Sequence, residues 1–239
     1  MLFSIPNAKF YNEFICKVSA YTENIYQYSL NLQHIPNFDK TEMAEILLIN
    51  TMMFENFYAF ETLVDKKLIN SACSCFRNQI ENFRLLLALI QNSEFRKQYT
   101  NNQNIEFRTV YDSAFMQGKV LNLLSKNSKD PIWGNINKNY IKNSTFSELH
   151  SELSKIVHGI NKNILFAINL EENNRIFLGV GVSEMNVGCQ LEIKKLYESE
   201  LILTIDYMIG ITSLVEKYVD KTILTEQKKR CKGTIPNFV

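Results

Sequence analysis

Apolar residues recur at three- and four-residue steps along most of the chain, the signature of amphipathic helices. Phe10, Phe14, Ile15, Val18, Tyr21, Ile25 and Tyr28 trace such a stripe over residues 9–33, and His34-Ile35-Pro36-Asn37 breaks it. Asp39 or Thr41 can cap a second helix running to about residue 67, with Glu42 and Glu45 suited to its first turn. Its stripe is Ile46, Ile49, Met53, Phe57, Phe60 and Val64, with Phe54 beside it. Asn70 or Ser71 can cap a third helix to about residue 91, whose C-terminal half is apolar nearly all round and is therefore expected at the centre of the fold. Shorter helices are expected over 93–99 and 105–124. Residues 126–142 then carry Ser128, Asp130-Pro131, Gly134 and several Asn, which predict a long loop around the single tryptophan, Trp133. Thr145 and Glu148 have capping-box spacing for a helix to His158, with Gly159 as its stop.

The period changes after that. NILFAINL (163–170) and RIFLGVGV (175–182) are β-favouring runs separated by Glu171-Glu172-Asn173-Asn174, the pattern of a hairpin that must pack on the helices. A final long helix is expected over 190–221. The expectation is a mainly α, multi-helix bundle of about six to seven helices with one small β-hairpin near 163–183. It would form one domain over 1–224, followed by a polar, partly basic tail over 225–239.

Bulk properties narrow the function classes little. At 239 residues and 46% hydrophobic content, a domain of this size buries roughly 70–75% of its unfolded surface and needs no staples. The net charge of +1 gives no global pull toward nucleic acid or anionic membrane. The excess of Lys over Arg and the abundance of Asn read as the codon bias of an A/T-rich, most plausibly bacterial, genome. Five cysteines at irregular spacing, with Cys73 and Cys75 in C-x-C, argue for a reducing compartment and inert thiols over a disulfide framework or a zinc site. No signal peptide or membrane-length apolar run is found, so a cytoplasmic protein without membrane contact, metal or cofactor is expected. GVGVSEMNVG departs from a dinucleotide fingerprint at Glu184, and the basic cluster Lys228-Lys229-Arg230-Cys231-Lys232 is read as a solvated end.

Two segments carry candidate chemistry. In the third helix Arg77 and Glu81 are four apart and share a face, with Arg84 seven beyond Arg77. A partly buried guanidinium needs a carboxylate or other acceptors, so a helix-stitching ion pair between Glu81 and Arg77 or Arg84 is the bland reading. In LHSELSKIVHG, His150, Ser154 and His158 follow at four-residue steps on one face, and His158 sits in the last turn, where the macrodipole favours the imidazolium. The bland reading there is a charge that complements the helix end. An Arg, a Glu, a Ser and two His on core-facing helices of one domain form a combination that each bland reading explains only in part.

FRNQIENFRLLLAL with the later ELSKIVHG resembles bacterial helical proteins near the HEPN superfamily and the abortive-infection type of anti-phage proteins. The resemblance covers about residues 70–159. HEPN ribonucleases carry an Arg and a His with four to six residues between them; here Arg77-Asn78 has the right form, but the His window holds Asn82, Phe83 and Arg84. The resemblance implies an RNase toxin of prokaryotic defence, with RNA as substrate, a homodimeric assembly and a partner protein of a defence system. In that setting Arg77 binds phosphate, His158 is the acid/base, and Glu81 and Ser154 orient them. The alternatives are a non-catalytic interaction or regulatory module of the same fold, in which these residues fix helix packing, and a small-ligand sensor with the 126–142 loop as its lid.

Overall fold

The computed structural model describes residues 29, 31–32, 35, 38–66, 68–101, 113–127, 129, 133–157, 168–170, 176–178 and 187–218. These form α1 (Lys40–Asp65), α2 (Ile69–Gln91), α3 (Ser93–Asn101), α4 (Ser113–Lys126), α5 (Gly134–Tyr140), α6 (Thr145–Val157), β1 (Ile168–Leu170), β2 (Ile176–Leu178) and α7 (Val187–Tyr218). Residues 9–28 of the helix expected over 9–33, the tail beyond 218, and His158 lie outside the described residues. Among the described residues no helix is long and apolar enough to cross a membrane.

The bundle is organised around α2, which touches every other described helix. Its sequence explains this: Ala72, Cys73, Phe76, Ile80, Phe83, Leu86, Leu87, Ala88 and Leu89 are all buried, so apolar side chains leave the helix in several directions and need neighbours on each. The α1 stripe of Ile46, Ile49, Met53, Phe57, Phe60 and Val64 is buried as its spacing predicts. Asp39 caps α1 by accepting the Glu42 N–H at 2.7 Å. On the far side Tyr207 of α7 meets Phe83 (5.4 Å between centroids) and Phe57 (5.6 Å), while Tyr140 stacks on Phe146 at 4.6 Å.

Several expectations are corrected. The bundle is all-α in architecture, and the hairpin expected near 163–183 is not a component of it. Among the described residues Ile168–Leu170 and Ile176–Leu178 pair, antiparallel, with Ile168 opposite Leu178. A lone two-stranded pair is no independent layer. Residues 126–142 are not one long loop: Trp133, Ile136 and Tyr140 are spaced for a helical face, and they bury it, so α5 forms despite Gly134 and the Asn residues. Its Asn137 exchanges amide hydrogen bonds with Gln91 at 2.8 and 3.0 Å. Trp133, Ile136, Asn137 and Tyr140 of the segment are thus packed in the core. The caps also shift. Leu68 precedes α2 with no side-chain cap, and Ser144, not Thr145, accepts the Ser147 N–H at 3.3 Å to start α6. Asn143, at φ 63°, turns the chain from α5 into α6; Asn is among the few residues that take this conformation readily.

Two glycines give opposite tests of this packing. A Cβ on Gly118 meets nothing within 4 Å, so Gly118→Ala is expected to stabilise by about 0.5–1 kcal/mol through helix propensity alone. At Gly210 a Cβ would stand 2.9 Å from the Trp133 ring. That close approach of α7 to α5 makes Gly210→Val destabilising by about 1–3 kcal/mol. Urea unfolding of both variants reads the pair; equal midpoints would contradict the described approach.

Candidate functional site

Arg77 and Glu81 project from successive turns of α2 toward α6, and α6 answers with His150 and Ser154, also one turn apart. The Arg77 Nε–H donates to Ser154 Oγ at 3.0 Å, and its Nη2 lies 2.8 Å from Glu81 Oε1. His150 Nε2 meets the same Glu81 oxygen at 2.7 Å. The Ser154 hydroxyl donates to the His150 carbonyl at 2.8 Å, one turn back. Four side chains from segments about seventy residues apart therefore close a ring of hydrogen bonds across one helix–helix contact.

The cluster is neither sealed nor fully exposed. Arg77, Glu81 and His150 keep 19%, 22% and 17% of their side-chain surface. Because an ionised Glu81 only accepts, His150 Nε2 must carry the hydrogen of their bond. Nδ1 is then the nitrogen left to take or release a proton, the division of labour that a carboxylate imposes on an imidazole in acid/base sites. Behind the cluster lies Arg84, buried, with its Nε–H on the Tyr140 carbonyl at 3.0 Å. Burial pulls the Arg84 guanidinium down to about 10, while Glu81 and then Tyr140 act the other way; it remains a cation at neutral pH and adds positive potential near Glu81.

Of the residues singled out in the sequence, Arg77, Glu81 and Ser154 come together here. The ion pair between Arg77 and Glu81 is present as well, and the Arg84 Nε–H is given to a backbone carbonyl. His158, which sequence places one turn beyond Ser154, lies outside the described residues, and His150 is the imidazole of the described cluster. The signal for His150 was available: it shares a face with Ser154 by the same four-residue step. Cys73 and Cys75 take no part. Burial pushes the Cys73 thiol up to about 12; Cys75 is raised by burial and then by the Glu200 charge. Among the described residues no group of three or more His, Cys, Asp or Glu is placed to hold a metal ion.

The fold and this cluster define the chain at the level of a helical bundle with a part-exposed Arg–Glu–His–Ser ring between two of its helices. No protein-family model, no curated protein and no solved structure matches the chain.

Proposed function

We propose that the chain is a HEPN-like component of a prokaryotic anti-phage system that cleaves RNA without a metal, acting as a homodimer and alongside a partner protein of that system. The observation supporting this is the convergence of Arg77 and His150, held by Glu81 and Ser154, in a cluster that keeps about a fifth of its surface. In this reaction the His150 Nδ1 takes the proton of a ribose 2′-hydroxyl. The 2′-oxygen bonds to phosphorus, the P–O5′ bond breaks, and the leaving 5′-oxygen takes a proton from water. Products are a 2′,3′-cyclic phosphate and a 5′-hydroxyl. Arg77 binds the non-bridging oxygens and stabilises the charge that grows on them. Glu81 fixes the imidazole tautomer, and Ser154 orients the guanidinium.

A second reading is a non-catalytic interaction module, and one feature favours it: the four side chains satisfy one another, as a packing network does. One experiment separates the two. Purified wild type and His150→Ala are incubated with total RNA in excess chelator, and both are expressed in a bacterial host while growth is followed. Cleavage to cyclic-phosphate ends and growth arrest by wild type, both lost in a folded His150→Ala protein, is the expected result, with a rate loss of about 10²–10⁴. Intact RNA and normal growth with wild type, together with a lowered melting temperature in the variant, select the interaction module.

A further inference from the structure

The apolar stripe of α7 contains an acid. Leu196, Leu203, Tyr207 and Ile211 are buried at helical spacing, and Glu200 stands among them with no exposed surface. Among the described residues neither of its carboxylate oxygens makes a hydrogen bond of ordinary geometry, and no ion pair joins it. The side chain abutting it is Gln79 of α2, itself fully buried. One N–H of the Gln79 amide goes to the Asn56 carbonyl of α1, at 3.0 Å, and the second is the donor through which Gln79 partly offsets the burial of Glu200. No described cation neutralises the carboxylate, so a charge on it would sit in the apolar contact between α7 and α2 with at most one amide N–H to compensate it. A hydrogen on the carboxyl removes that charge.

We propose that α7 docks through a proton: Glu200 is seated as a neutral carboxylic acid in the buried contact between α7 and α2, so that docking of α7 is linked to proton uptake. This inference goes beyond the RNA reading and stands apart from it. The groups facing Glu200 fit. Among the described residues Cys75 and Gln79 come from α2 and Tyr140 from α5; the charged forms of the two titratable neighbours are both anionic. Burial pushes the Glu200 carboxyl well above its ordinary 4.5, and the Gln79 contact opposes this only in part. Burial likewise raises Asp206, against hydrogen bonds from Asn139 and Tyr140 at 3.0 and 3.1 Å.

The sign follows from linkage. Below the ordinary value both docked and released states hold the proton, and pH has no effect through this group. Above it the released helix ionises Glu200 and the docked helix does not, so release becomes up to about tenfold easier per pH unit until the docked pKa is reached. Hydrogen exchange of the backbone amides over 196–211, corrected for the intrinsic pH dependence of exchange, reads this directly in the full chain. Wild type is expected to lose protection steadily from mildly acidic to mildly basic pH. Glu200→Gln keeps the shape and carries no titrating proton, so its protection is expected to fall less steeply with pH than that of wild type, with the slope of Asp206 remaining, and to be higher than wild type at the basic end. Glu200→Met, which carries no proton, is expected to show the same reduced slope. A wild-type profile that does not vary with pH overturns the proposal without recourse to a variant, and so does a slope that Glu200→Gln leaves unchanged.

Discussion

Arg96→Ala is expected to lower the stability of the bundle by about 3–5 kcal/mol, because it strips a buried carboxylate of its partner. For a chain of this size that corresponds to a melting temperature lower by roughly 6–20 °C. Arg96 of α3 is buried, and its Nε–H reaches Glu42 Oε2 at 2.5 Å, where both side chains are under a tenth exposed. Its Nη1 donates to the Leu89 carbonyl at 2.7 Å and approaches that of Ile90 at 3.4 Å. These are last-turn carbonyls of α2, which have no donor within their own helix. The guanidinium also lies 4.1 Å over the Phe38 ring. One side chain thus joins the start of α1, the end of α2 and α3, and its planar fork serves three acceptors that a lysine cannot serve together. The paired change Glu42→Met with Arg96→Met is expected to recover much of the loss, since two apolar groups leave no unpaired charge. Denaturant unfolding of the two single variants and the pair checks this. A single-variant loss within 1 kcal/mol would mean that the Glu42 carboxylate is not buried as described.

Neither Arg96 nor Arg84 announced this role in the sequence. Their acceptors are backbone carbonyls and a carboxylate up to 56 residues away, and a carbonyl has no sequence signature. What periodicity carries was legible. The α1 stripe, the central place of α2 and the shared face of His150 and Ser154 all follow from three- and four-residue spacing. Turn-forming residues misled where packing overrode them: Gly134 and the Asn residues read as loop, although Trp133, Ile136 and Tyr140 already had helical spacing. At 163–182 the opposite happened, and β-favouring composition promised strands of which three paired residues on each side are described. Glu200 interrupts the apolar run of residues 196–215. The same 3.6-residue period that identifies the buried face of α7 puts it on that face, so its burial was legible and its consequence was not drawn from spacing alone. For the candidate site, spacing placed Arg77 with Glu81 and His150 with Ser154. Only the register of α6 on α2 decides which imidazole Glu81 meets.

Arg77→Ala is expected to abolish nearly all RNA cleavage, by about 10²–10³ in rate, while leaving the fold close to its original stability. The two readouts diverge because the residue's two jobs differ in size. As a structural group, Arg77 makes one i,i+4 ion pair and one hydrogen bond at 19% side-chain exposure, and part-exposed pairs of this kind contribute about 0.2–1 kcal/mol. As a phosphate ligand it would supply the fixed positive charge opposite an oxyanion, where loss of a single donor is far more costly. Arg77→Lys keeps the charge but not the fork. It cannot serve Ser154 Oγ and Glu81 Oε1 as Arg77 does and still present parallel N–H groups to a phosphate. Cleavage by the lysine variant should therefore fall between wild type and alanine. Combining Arg77→Ala with His150→Ala should cost little beyond the worse single variant, since groups acting on one transition state are strongly non-additive. Single-turnover cleavage rates, measured alongside urea unfolding of each protein, decide the matter. If Arg77→Ala destabilises the bundle by 3 kcal/mol or more and wild type leaves RNA intact, the ring between α2 and α6 is a packing device, and the interaction-module reading takes its place.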